Sequence, residues 1–339
     1  MKKGFWNSVT KPIMALAPMA NVTDAAFRRM IARYGKPSVI WTEFVSVEAL
    51  LSQGRDQALV DFWYSDIERP IVAQIFGSKP EQFKEVAQLC RELGFDGIDI
   101  NMGCPDKGIE KSGAGAALIK NPALAKKIIL SCKEGAGDLP VSVKTRIGYK
   151  ENEIESWTRH LLEAQPAAIT MHGRTRKEMS KVGAHWDVIG RMVEIVAEEI
   201  PKQKNRPVLL GNGDVETAQQ GREKCNEFGV DGVMIGRGFF GKPWLLSAQE
   251  PGLEKRLDIL LEHSKLYIEL FGPERRTRET EAERLRGRDW LKSFDYLKKH
   301  YKAYCSGFEG AKELRVQLME AKSYEDMEEK VREFLGDRL

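Results

Sequence analysis

Gly97-Ile98-Asp99-Ile100-Asn101, followed at once by Met102-Gly103-Cys104-Pro105, is a short apolar run that ends in a polar, glycine-bearing turn. Five residues of this kind suit a strand covered on both faces, as in a parallel sheet. The same texture recurs at 13–17, 39–43, 71–76, 141–145, 168–172, 208–211 and 232–236, which makes eight candidate strands. Longer segments with helical spacing separate them. Ser78 with Pro80 in the first turn predicts one helix start, Asn121-Pro122 another, and Asp187 and Asp214 precede further helical runs. Eight strand–helix alternations favour a (β/α)8 barrel, an α/β fold, over a doubly wound sheet.

From about residue 253 strand-like runs cease. Leu257, Leu260 and Leu261, then Leu291, Phe294, Leu297, Tyr301 and Tyr304, fall at helical spacing. The expected organisation is a barrel over 1–250 and an all-helical C-terminal domain over 251–339. The stretch 274–288 is dense in charge and reads as a loop or a solvated helix.

Composition narrows the classes. The chain has 339 residues, 42% of them hydrophobic and 30% charged, enough apolar material for a sizeable core. A net charge of +3 neither demands nor excludes nucleic acid, so any basic surface is local. Five cysteines without a CxxC pair speak against a disulfide framework and a zinc ribbon. No run approaches the roughly 20 apolar residues of a membrane span, and no signal peptide is legible. A reducing, cytoplasmic location is expected.

Polar and glycine residues gather at the carboxyl ends of the expected strands, where barrels of this kind carry their sites. Gln74, Lys144 and His172 are expected to point into the mouth from strands 3, 5 and 6. A lysine in such a place is costly without an anionic partner, and a flavin suits it. Taken singly, such a lysine also fits a salt bridge, and such a histidine a satisfied core imidazole. Gly211-Asn212-Gly213-Asp214 and Gly236-Arg237-Gly238, after strands 7 and 8, suit a phosphate approached by backbone N–H groups. Either cluster alone also fits a tight turn. Pro105 restricts Cys104 to extended geometry, which holds that thiol at the rim as a candidate proton donor. Cys90, Cys132 and Cys225 lie in helix-like segments and fit buried apolar positions.

Together these residues resemble a tRNA-dihydrouridine synthase of bacterial type. The shared elements are Ala17-Pro18-Met19-Ala20 with Thr23-Asp24, Gln74-Ile75-Phe76-Gly77, Asp99 to Pro105, Ser112-Gly113-Ala114-Gly115-Ala116, Lys144-Thr145-Arg146-Ile147-Gly148, His172-Gly173-Arg174-Thr175-Arg176, and the two glycine clusters. The resemblance implies a bound FMN, NADPH as reductant, and reduction of a tRNA uridine to 5,6-dihydrouridine. Hydride would pass from flavin N5 to C6, and Cys104 would protonate C5. It assigns FMN contacts to Pro18, Met19, Ala20, Gln74, Lys144, His172, Asn212, Gly213, Asp214, Gly236 and Arg237, and the uracil ring to Asn101, Arg146 and Arg174. The expected partners are tRNA and NADPH, with no metal, no membrane and a monomeric chain. The segment 284–304 interleaves Arg and Lys with aromatics, as an RNA-facing helix does, though an amphipathic helix with aromatics inside and lysines outside reads the same way. One departure stands out. The family often has an aromatic residue shortly after His-Gly-Arg-Thr-Arg, whereas this chain has Lys177-Glu178-Met179-Ser180-Lys181. Two other readings compete, a barrel flavin reductase acting on a free pyrimidine or enone, and a non-catalytic RNA-binding protein.

Overall fold

The computed structural model describes residues 3–202, 206–273, 291–321 and 323–336. The stretch 274–288 and residues 284–290 of the interleaved segment lie outside the described residues. Contacts divide the chain into two compact units. One comprises Met1–Pro18 with Pro37–Arg237, and the other Met19–Lys36 with Gly238–Leu339.

The first unit is an eight-stranded parallel barrel. Its strands are β1 (Ile13–Leu16), β2 (Ile40–Ser46), β3 (Ile71–Phe76), β4 (Gly97–Met102), β5 (Val141–Arg146), β6 (Ala168–His172), β7 (Val208–Asn212) and β8 (Gly232–Ile235). They pair in the order β1-β8-β7-β6-β5-β4-β3-β2. A bridge from Ala15 to Val39 links the two ends of that order, and the Leu16 N–H donates to the Val39 carbonyl at 3.1 Å. Seven of the eight strands start and stop within a residue or so of the apolar runs. β2 extends three residues further, through a register shift between Trp41 and Phe44.

Apolar side chains explain the closure. Trp6, Ile13, Ala15, Trp41, Val72, Val208, Leu210 and Met234 form one buried cluster across the barrel. Their alternation along the strands sends every second residue inward. Outside run the helices Pro80–Glu92, Pro122–Ala136, Ile154–Glu163, Trp186–Glu199 and Ala218–Phe228. Asn121 caps its helix as expected, accepting from the Leu124 N–H at 3.2 Å. Two starts differ from expectation. Lys79 rather than Ser78 stands at the cap before Pro80, without a side-chain bond. Asp187 lies inside the first turn of Trp186–Glu199 rather than before it.

The second unit is all helical. It contains Ala25–Tyr34, Leu253–Phe271, Phe294–Tyr304, Ala311–Glu320 and Tyr324–Gly336. Its formation from discontinuous chain is something a single boundary at 250 does not express. The physical reason lies in Ala25–Tyr34, whose partners come from the far end of the sequence. Asp24 caps this helix by accepting from the Phe27 N–H at 3.0 Å. Phe27 then packs on the rings of His300 and His263, with centroids 4.4 and 5.3 Å away. Arg33 and Tyr34 both bind Glu262. Burial keeps both histidines neutral, pushing His300 down to about 3 and His263 well below its ordinary value. Leu257, Leu260, Leu297, Tyr301 and Tyr304 are buried at the spacing the sequence suggested. Among the described residues no helix is long and apolar enough to cross a membrane.

Candidate functional site

Parallel strands end on one rim, and the register sets their polar residues level with one another. Asn101 stands opposite Lys144, Arg146 opposite His172, and His172 opposite Asn212. One layer deeper, Gln74 stands opposite Asp99.

Asp99 anchors a chain of hydrogen bonds leading to the β4 turn. It is fully buried and accepts from Ser142 Oγ and from Gln74 Nε2, both at 2.6 Å. Burial pushes its carboxyl up to about 6, against the pull of those two bonds and of the Lys144 charge. Gln74 Oε1 accepts from Asn101 Nδ2 at 3.2 Å. Asn101 Oδ1 in turn accepts from the N–H groups of Gly103 and Cys104, at 3.1 and 2.9 Å. The β4 turn is thus fixed from below by side chains of three strands.

Cys104 is half-buried at this turn, whereas Cys90, Cys132, Cys225 and Cys305 are buried. Burial pushes the Cys104 thiol up, so it holds its proton at neutral pH. Its carbonyl accepts from the Ala116 N–H at 2.9 Å. Gly115, at φ +61°, lies so close that a β-carbon there would come within 2.7 Å of that carbonyl. The glycine therefore lets the returning chain close over the cysteine loop.

The cations of the mouth meet few carboxylates. Lys144 Nζ donates to Asn212 Oδ1 at 3.0 Å, and Asn212 Nδ2 donates to the Met234 carbonyl at 2.7 Å. Burial, with Arg146 nearby, pushes Lys144 down to about 8. Arg146 donates to the carbonyls of Gly103 (2.7 Å), Thr175 (3.3 Å) and Met179 (3.4 Å). Burial pushes it down to about 10. His172 falls well below its ordinary value through burial and then the charges of Lys144, Arg146 and Arg174. Arg174 Nη1 lies 3.3 Å from His172 Nε2. Since arginine only donates, that ring nitrogen accepts.

The β7 turn is braced by Asp214, whose φ of +53° is left-handed. It accepts from Arg174, from the Ala184 N–H at 2.8 Å and from Arg237 at 2.6 Å. Burial pulls its carboxyl up, but these bonds and both guanidinium charges bring it below the usual range. Arg237 is 71% exposed, so it retains donors facing outward. Gly213, at φ +131°, passes so near Ala184 that a β-carbon would approach within 2.6 Å. Trp186 Nε1 donates to the Gly213 carbonyl at 2.9 Å and fixes the turn from outside.

Of the sequence-expected residues, Pro18, Gln74, Asn101, Cys104, Lys144, Arg146, His172, Arg174, Asn212, Gly213, Asp214, Gly236 and Arg237 belong to the barrel unit. Bonds join Gln74 to Asn101, Lys144 to Asn212, and Arg174 to both His172 and Asp214. Met19 and Ala20 fall in the helical unit, in the turn where the Met19 N–H donates to Thr23 Oγ1 at 2.9 Å. Sequence reasoning missed Ser142, Glu110 and Tyr149. The Lys177 N–H donates to the Tyr149 carbonyl at 3.0 Å, and Arg176 lies over the Tyr149 ring at 5.7 Å. An aromatic ring from the loop between β5 and the helix Ile154–Glu163 thus adjoins the segment that lacks one of its own. A tyrosine three residues past Arg146 was the available signal.

Comparison with known proteins adds an independent line. The family model described as dihydrouridine synthase (Dus) matches residues 15–337. The chain is similar to the "Probable tRNA-dihydrouridine synthase" of Staphylococcus aureus (strain MRSA252), at 39% identity over 327 residues, covering 95% of this chain and 93% of the relative. It is likewise similar to the "Probable tRNA-dihydrouridine synthase 2" of Bacillus subtilis (strain 168), at 38% identity, covering 96% and 95%. Among solved structures, histamine dehydrogenase from Rhizobium sp. 4-9 matches with a TM-score of 0.52 and 13% identity, over 75% of this chain and 48% of that one. At that identity the likeness speaks for the fold alone.

Proposed function

Because the chain belongs to the dihydrouridine synthase family, we propose that it reduces the C5=C6 bond of uridine in tRNA to 5,6-dihydrouridine, with FMN in the barrel mouth and NADPH as reductant. The observation that carries this reading is a protonated, half-buried thiol on the same rim as Lys144 and Arg146, whose hydrogen bonds go to a carboxamide and to backbone carbonyls.

These residues suit FMN. Lys144 has a carboxamide oxygen as its hydrogen-bond acceptor, so an electron-rich ring edge beside it would restore the charge that burial suppresses. Arg237 and the glycine turns after β7 and β8 suit the phosphate. Gln74, His172 and Asn212 line the strand ends between. Bound FMN, reduced by NADPH, supplies the hydride that C6 of the uracil accepts. Cys104 then gives its proton to C5, and the high pKa of the buried thiol keeps that proton available at neutral pH.

Asn101 and Arg146 do two jobs in this reading. Both brace the cysteine turn, yet each keeps donors for the uracil edge. Asn101 Nδ2 has a second N–H, and Arg146 Nη2 makes no hydrogen bond to a described residue. Arg174, bonded to Val182, His172 and Asp214, acts from the next position along the rim. A flavin in the mouth cannot reach a stacked base, so the uridine must be turned out of its loop. The region 251–339 would grip the rest of the tRNA. On the helix Phe294–Tyr304, Lys299 and Lys302 are exposed while Leu297, Tyr301 and Tyr304 are buried, so the lysine face stays available to RNA while the aromatic face packs inside.

The test is mass spectrometry of tRNA incubated with the purified protein, FMN and NADPH. A gain of two hydrogens on uridine is expected. A protein that purifies yellow and oxidises NADPH but leaves tRNA unchanged would instead be a reductase of small molecules.

A further inference from the structure

One ion pair near the mouth serves neither the flavin nor the uracil in the reading above. Arg176 Nε donates to Glu110 Oε2 at 2.8 Å, and Arg176 Nη2 binds the same oxygen. The Glu110 side chain is only 9% exposed, and its Oε1 has no partner among the described residues. The Arg176 side chain is 24% exposed, so the pair is only part-buried, and water at that end limits what the attraction contributes to stability. A pair with one carboxylate oxygen left unsatisfied is weaker still, so stability alone is a poor reason for it.

Its position suggests another reason. Glu110 belongs to the short helix Lys107–Lys111, capped by Asp106, two residues beyond Cys104. Arg176 Nη2 also reaches the Pro105 carbonyl, the residue after the cysteine, at 3.5 Å. The backbone of Arg176 is held in turn, because its N–H donates to the Gly148 carbonyl at 2.9 Å. Its guanidinium lies over the Tyr149 ring, which also carries Lys120 Nζ at 4.4 Å from its centroid. One guanidinium therefore ties the loop after β4 to the loop after β5, from the loop after β6. Asn101 fixes the near side of Cys104 through two N–H bonds, and Ala116 holds its carbonyl. The remaining side of the loop is held by Arg176.

We infer that Arg176 and Glu110 are positioning residues for Cys104, clamping the loop so that the thiol is presented at the rim in one place. This rests on the proposed uridine reduction. Neither residue touches the reacting atoms. Misplacing a proton donor by about an ångström lowers a rate roughly a hundredfold, so the clamp acts on turnover rather than on tRNA binding.

The experiment compares wild type with Glu110→Gln, Arg176→Ala and Arg176→Lys. Two things are measured: steady-state uridine reduction, and the rate at which iodoacetamide alkylates Cys104 without tRNA, read by peptide mass spectrometry. Glu110→Gln is nearly isosteric, and circular dichroism verifies that each variant folds. The expected result is a fall in kcat of roughly ten- to a hundredfold with the tRNA KM within about twofold. NADPH-driven flavin reduction stays intact, and Cys104 alkylates faster as the loop loosens. Arg176→Lys keeps the charge but loses the planar fork, so it follows Arg176→Ala. A higher KM in Arg176→Ala, with kcat unchanged and Glu110→Gln silent, would make Arg176 an RNA contact and overturn the clamp. Unaltered alkylation and kcat in Glu110→Gln would overturn it too. If the wild type forms no dihydrouridine, the proposed reaction fails, while the alkylation rates still decide whether the pair holds Cys104.

Discussion

On the outside of the barrel, Arg159 and Arg191 sit among carboxylates. Arg159 pairs with Glu155, Glu198 and Glu199, and Arg191 with Glu155, Glu194 and Glu198. At the mouth of the same barrel, Lys144 bonds a carboxamide and Arg146 bonds carbonyls. The outer cations have water as well as partners, and their pairing contributes little. The inner ones have given up water for neutral acceptors, and the attraction of Asp99 for Lys144 and of Glu110 for Arg146 does not offset that burial, which is why both are pushed down. A network that neutralises itself belongs to the scaffold. A cluster whose buried cations bond neutral acceptors has room for an anion.

The sharpest break between the two regions comes at the thiol that faces those inner cations. Cys104→Ala should keep the yellow colour and NADPH oxidation, yet lose uridine reduction by about 10²–10⁴-fold, the usual worth of a general acid. Normal turnover in a single-turnover assay with pre-reduced enzyme would end its role as donor.

Lys144→Ala comes next. Losing a charge-assisted bond should weaken FMN roughly ten- to a hundredfold, read by flavin fluorescence on titration. The same lysine gives a signature in pH. Its folded value of about 8 lies below the ordinary 10.5, so between these values the flavin-free folded protein binds fewer protons than the unfolded chain. Its stability should therefore rise with pH across that window. An anion beside Nζ raises the folded value and flattens the slope. Melting temperatures with and without FMN check this, and identical slopes would mean that no negative charge sits at Lys144.

The smallest effect belongs to the outer network. Glu155→Gln should leave both turnover and melting temperature where they are at physiological salt. A loss of activity there would erase the contrast between the two regions.

The same contrast explains how much the sequence discloses. Strands are legible because burial on both faces writes continuous apolar runs, and seven of the eight hold their bounds closely. The rim residues are legible because each falls directly after such a run. Cys104 could be told from Cys90, Cys132 and Cys225 because a proline follows it and helical spacing surrounds them. Pairings across the chain are another matter. Glu110 and Arg176 are 66 residues apart, and neither position records the other. Ser142 looks like any strand serine until Asp99 is seen beneath it. Lys79 stands at the helix start in place of Ser78, and the Gln82 N–H that a capping side chain would serve is met instead by the Lys79 carbonyl at 3.1 Å.

The helix Ala25–Tyr34 has a consequence in time rather than in space. It is made early, while His263 and Glu262, against which Phe27, Arg33 and Tyr34 pack, lie more than two hundred residues downstream. At the usual pace of synthesis, about 5–20 residues per second, its partners emerge on the order of tens of seconds later. Throughout that interval Phe27, Met30 and Ile31, all buried in the finished protein, lack the downstream residues that cover them there. Synthesis in this order leaves the apolar face of Ala25–Tyr34 without its final partners until the helix Leu253–Phe271 has been made.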